Sequence, residues 1–106
     1  MPKYMLRINY TVEGAKGLIK DGGSARRSIA QKAAESMGGR VESFHFAFGD
    51  TDAFVIADLP DAASAAAIAL TVSASGGASV HTTVLMTPEE LDAATRKSPL
   101  YSAPGR

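Results

Sequence analysis

Apolar and polar side chains alternate along Lys3–Thr11, with Tyr4, Leu6, Ile8 and Tyr10 on one side and Met5, Arg7, Asn9 and Thr11 on the other. That period of two predicts a first strand. Val12 to Gly23 holds Gly14, Gly17, Gly22 and Gly23, a glycine density that predicts a loop or broken turn. Ser24 is placed to cap a helix over 25–37, where Ile29, Ala33 and Met37 recur every four residues, and Gly38-Gly39 ends it. A second strand is expected over 40–48, with Phe44, Phe46 and Phe48 on one face and Ser43, His45 and Ala47 on the other. Gly49-Asp50-Thr51-Asp52 reads as a hairpin turn into a third strand, 53–59, that is apolar at nearly every position. Asp61 caps a second main helix, 62–75, stopped by Gly76-Gly77. A Val- and Thr-rich fourth strand follows over 79–86. Thr87-Pro88-Glu89-Glu90 then has the capping-box pattern of a short helix reaching about Lys97.

The order strand, helix, strand, strand, helix, strand is the split βαβ arrangement. It predicts an α+β fold of the ferredoxin-like βαββαβ kind: a four-stranded antiparallel sheet with both main helices on one face, plus a short C-terminal helix. The third strand complicates this picture. A strand open to water on one side should alternate, yet Phe54-Val55-Ile56-Ala57 is apolar on both. The face without helices therefore needs a cover, and a second copy of the chain is the simplest one. The competing cover is the chain's own last helix or tail. Residues 1–97 are expected to form one domain. The tail 98–106, with Pro99, Pro104 and Gly105, is expected to be disordered or to pack on a neighbouring subunit.

Charge and composition narrow the partners. Eleven Lys and Arg balance eleven Asp and Glu, so a strongly basic nucleic-acid surface is not expected. There is no Cys, which excludes disulfides and thiolate chemistry and suits a cytoplasmic protein. No apolar run approaches the ~20 residues of a membrane span, and no signal-peptide pattern opens the chain. A soluble homo-oligomer, with no membrane or nucleic-acid partner, is the expectation.

Several segments together resemble the GYD-domain family, a bacterial group related to the dimeric α+β-barrel superfamily. They are the first strand, Gly14 with Leu18, Lys20 and Asp21, Arg26 opening the helix, and Phe44-His45-Phe46-Ala47-Phe48-Gly49 leading into Asp50-Thr51-Asp52. Leu59-Pro60-Asp61, Thr82-Thr83-Val84-Leu85 and Thr87-Pro88-Glu89-Glu90 complete the likeness. Of the naming Gly-x-Tyr-Asp motif, Gly49 and Asp52 match, while Thr51 replaces the aromatic; His45 also stands where an aromatic is common. The resemblance implies a ferredoxin-like protomer and two sheets paired face to face in a barrel-like dimer. It implies no general reaction, although the wider superfamily includes cofactor-independent monooxygenases and polyketide cyclases.

Chemistry would have to sit on a few polar side chains. Arg7, Asn9, Ser43 and His45 fall on the face expected to line a dimer cleft, and are the candidate ligand-binding set. His45 is the candidate general base, since an imidazole titrates near neutral pH; its bland alternative is an inert, half-buried histidine. His45 and His81 are a poor metal signature without a third ligand, so no metal and no cofactor are expected. Asp50 and Asp52 fit turn chemistry better than a carboxylate pair. Lys20, Arg26 and Arg27, around Gly22-Gly23, have an anion-binding composition without P-loop spacing, and a subunit ion pair is the favoured explanation over a bound anion. Three functions remain. The first is an oligomeric small-molecule-binding or assembly module. The second is a cofactor-independent enzyme with His45 as base and Arg7 or Asn9 steadying an anionic intermediate. The third is a structural or regulatory oligomer without a ligand.

Overall fold

The computed structural model describes all 106 residues. Strands β1 (Lys3–Tyr10), β2 (Arg40–Phe46), β3 (Ala53–Asp58) and β4 (Ala78–Leu85) form one antiparallel sheet in the order β2-β3-β1-β4. The helices are α1 (Val12–Asp21), α2 (Gly23–Ser36), α3 (Ala62–Ala74) and α4 (Pro88–Thr95). With α1–α2 linking β1 to β2 across β3, and α3 linking β3 to β4 across β1, this is the ferredoxin-like α+β fold that the element order predicts, with the short C-terminal helix in place.

The core lies between the sheet and the α2 and α3 helices. Tyr4 and Leu6 of β1, Val55 and Ala57 of β3, Ala34 of α2, Ala65 of α3 and Leu59 form its buried centre, with Ile8, Val41, Phe44, Ile68 and Val80 packed around them. Asp61 caps α3 by accepting the Ser64 N–H at 2.8 Å. Thr87 and Glu90 complete the capping box of α4.

The glycine-rich stretch after β1 is helix, not loop. Thr11 caps α1 by accepting the Gly14 N–H at 3.2 Å, and its own N–H and hydroxyl donate to the Gly77 and Gly76 carbonyls at 3.0 and 2.8 Å. Gly14 packs directly on Gly77: a methyl group there would overlap the Gly77 carbonyl oxygen. The glycine is thus a close-approach residue, and tertiary contact overrides its low helix propensity. Only Gly22, with φ at +83°, breaks the chain between α1 and α2. It also replaces the expected Ser24 cap, so α2 starts at Gly23 without a side-chain cap.

β2 departs from simple alternation. Val41 pairs with Ala57 and the next paired residue, Ser43, with Ile56, so Glu42 is the extra residue of a β-bulge. The bulge lets both Val41 and Phe44, three positions apart, face the core. Beyond β4 the chain leaves the body as an arm. The principal extents are 56 × 34 × 23 Å, and the radius of gyration is 16.8 Å, against about 13 Å for a compact chain of this length.

Candidate functional site

The strand registers assemble the sheet face that carries no helices. Arg7 stands opposite Phe54 on one side and His81 on the other, and Phe54 stands opposite His45. One row across the sheet therefore reads His45, Phe54, Arg7, His81. The next row reads Ser43, Ile56, Met5, Thr83, and the row beyond that places Arg40, Asp58, Lys3 and Leu85 together. Asn9 lies on the far side of the histidine row, opposite Ser79. Arg7, Asn9, Ser43 and His45 thus share this face, and Met5, Ile56 and Phe54 give it a half-buried apolar centre.

Strands in a sheet lie about 4.8 Å apart, so His45 and His81, on opposite edge strands, are separated by roughly 14 Å. One chain cannot bring them to a common metal. No three His, Asp or Glu side chains cluster with metal-holding geometry anywhere in the chain.

The charges on this face divide into engaged and free. Asp58 Oδ1 accepts from Lys3 Nζ at 2.8 Å and Asp58 Oδ2 from Arg40 Nε at 3.1 Å, while Lys3 also donates to Glu42 Oε1 at 2.9 Å. The bulge at Glu42 brings its carboxylate to that side. Hydrogen bonds from Lys3 and then Arg40 hold the Asp58 carboxyl below its ordinary value, and the same bonds, first from Asp58 and then Glu42, hold Lys3 above its own. Asp52, the aspartate of the naming motif, accepts the Tyr10 N–H at 2.9 Å, and its own N–H is shared between the Ile8 carbonyl at 2.9 Å and Asn9 Oδ1 at 3.2 Å. Asn9 is thereby tied into the turn before β3. Arg7 has no ion-pair partner in the chain.

Thr51 is buried near the end of that turn, so the position that is aromatic in the naming motif is an interior one here. Gly49 is open, with room for a side chain on all sides.

The remaining candidate cations point to different places. Arg27 joins Ser28 and Gln31 of α2 and Ser43 and His45 of β2 along an open groove of ≈ 340 Å³ at the sheet edge. Arg26 is the single charged residue lining an apolar space of ≈ 80 Å³ between the sheet and the helices, among Ile8, Ile29, Phe44 and Ile68. Tyr10 lines the same space. Burial raises its hydroxyl above the ordinary value, opposed by the Arg26 guanidinium beside it. Lys20 is exposed in the last turn of α1, where a cation suits the helix dipole. None of the three makes an ion pair within the chain.

Two participants escape a reading of sequence alone. Asp58 looks like a polar strand terminus, and only the register to Lys3 and Arg40 makes it the centre of a charge cluster. Tyr10 follows the core pattern of β1, and its pairing with Arg26 depends on how α2 lies over the sheet.

Comparison with curated proteins and with solved structures gives no significant match. The family model of the GYD domain matches residues 4–95, which take in the sheet from Tyr4 onward, the helices α1 to α3 and α4 through its last residue. The chain belongs to the GYD domain family.

Proposed function

We propose that this protein is a homo-oligomeric binding module in which two copies pair through the helix-free faces of their sheets and hold a small, partly apolar organic anion between them. The observation that carries the reading is Arg7. It lies on a central strand, beside the apolar Phe54 and Met5–Ile56 surface that wants a cover. Covering it would strip water from an unpaired guanidinium, which costs several kcal/mol unless a counter-charge arrives. The carboxylates on the same face are already engaged: Asp58 and Glu42 by Lys3 and Arg40, Asp52 by the Tyr10 N–H. A bound anion supplies what a second copy of this face lacks.

Light-scattering mass combined with native mass spectrometry tests the reading. The expected result is a dimer retaining a small anionic molecule, with the retained mass lost in Arg7→Gln while the dimer persists. A monomer at all concentrations overturns it. A dimer that neither retains nor takes up any small acid leaves only an assembly role.

A second reading rests on the same row. His45 and Arg7 flank Phe54, roughly 10 Å apart across two strand spacings. A substrate lying on the Phe54 ring reaches both a base and a cation able to steady an anionic intermediate, as a cofactor-independent enzyme requires. Turnover of a bound ligand that disappears in His45→Ala, with the dimer intact, would support this reading over simple binding.

A further inference from the structure

The C-terminal arm has the properties of a segment built for another surface. Every hydrogen bond made by residues 87–106 is to a residue of the same segment. Every side chain from Met86 to Ser102 is exposed, including Leu91, Leu100 and Tyr101. Yet α4 is fully specified at its start, with Pro88 in its first turn and both halves of the Thr87–Glu90 capping box formed. An eight-residue helix is marginal by itself in water, whatever its cap, and needs packing to persist.

The surface area shows how much packing is missing. The chain exposes 7365 Å². A compact monomer of its 11.0 kDa mass would expose about 5,600 Å². The surplus, about 1,750 Å², is larger than the roughly 800 Å² that each partner contributes to an ordinary stable interface. The arm leaves from β4, an edge strand of the sheet face taken above to pair with a second copy. Its root carries exposed Met86 and, on the helix side of that edge opposite buried Tyr4, exposed Val84.

We propose that the arm, residues 87–106, is exchanged between two copies of the chain, each arm lying across the other protomer and burying Leu91, Leu100 and Tyr101 there. The partner is a second copy rather than a foreign protein for two reasons. A two-fold exchange gives each arm one receptor at matched stoichiometry. The launch point at the margin of the self-pairing face also makes the arm a continuation of that interface. The inference therefore rests on the self-association proposed above, but on a different surface, and the two can be separated.

The experiment uses the full chain in three forms: unaltered, with Leu91→Asp, Leu100→Asp and Tyr101→Asp combined, and with Ile56→Lys on the sheet face. Thr83→Glu serves as a second sheet-face variant should Ile56→Lys fail to fold, as judged by circular dichroism. Dimer dissociation constants come from analytical ultracentrifugation, and a photo-crosslinking side chain at position 101 reports where the arm lies. The expected result is an arm variant that dimerises at least about a hundredfold more weakly, and crosslinks from position 101 that join two chains. An arm variant with unchanged affinity, or crosslinks confined to one chain, overturns arm exchange. If that occurs while the sheet-face variant turns monomeric, the face-to-face reading survives alone. If the sheet-face variants leave affinity untouched while the arm variant loses it, arm exchange stands and face-to-face pairing falls. A monomeric unaltered chain overturns both.

Discussion

The carboxylate of Asp52 accepts the backbone N–H of Tyr10 at 2.9 Å, joining positions 42 residues apart in the chain. It satisfies the last amide of β1 just past the point where regular pairing with β3 stops at Ala53. Replacing Asp52 by Ala leaves that N–H without its acceptor and is expected to cost about 1–3 kcal/mol in urea unfolding. Asp52→Asn keeps an acceptor oxygen and is expected to lose less. Equal losses in the two variants would show that the bond is not what the aspartate contributes.

The Lys3–Asp58–Arg40 cluster makes stability fall off at both ends of the pH scale. Asp58 titrates below its ordinary 3.8 in the folded chain, so its contribution is complete above that value and is lost as pH falls through the depressed folded value. Lys3 is raised above 10.5, so its contribution is complete below that value and is lost as pH rises through the folded one. Asp61 is also depressed, by its bonds to the Ser64 N–H and hydroxyl, and fades in the same acidic range. Urea midpoints measured at neutral pH and below pH 3.8 are therefore expected to converge, though not coincide, for Asp58→Asn and the unaltered protein as acid is added. A constant gap between them would remove Asp58 from the account.

Two glycines of α1 are expected to respond in opposite ways to the same substitution. Gly17 has nothing within van der Waals reach of an added methyl, so Gly17→Ala should stabilise by about 0.5–1 kcal/mol through helix propensity. At Gly14 the methyl would overlap the Gly77 carbonyl, and the backbone of the α1 start and the β4 lead-in would have to part. Gly14→Ala is expected to destabilise by about 2 kcal/mol or more, the scale of overpacking a tight contact. Thermal unfolding of the two variants side by side decides the matter, and a stabilised Gly14→Ala would contradict the contact.

These glycines also show where sequence reading stopped. The strands, α3 and α4 announce themselves through local signals: alternation in β1, Asp61 and Thr87 as caps, and Pro88 in the first turn. The segment over α1 does not, because Gly14 serves a contact with Gly77, more than sixty positions away, and glycine density alone reads as a turn. The site divides in the same manner. Arg7, Asn9, Ser43 and His45 share a face by strand parity, which is legible from the chain. The placement of Arg7 between Phe54 and His81 needs pairing partners and register, and those are set by the core rather than by any local pattern. Arg26 and Arg27 are neighbours in sequence, yet helical geometry turns one toward an apolar interior and the other toward the β2 edge.

The bulge at Glu42 makes the identity of the site depend on the backbone rather than on a side chain. Ser43, Phe44, His45 and Phe46 would each stand one place further along β2 if Glu42 took up regular pairing opposite Ile56 and the upstream pairing of Arg40 and Val41 were kept. They would arrive with the opposite parity, since a shift of one residue inverts a strand with a period of two. His45 would then turn to the interior opposite Ala53, and Phe44 would take its place opposite Phe54. Loss of the bulge alone would thus exchange a polar, histidine-bearing surface for an aromatic one without altering a single amino acid of the site itself.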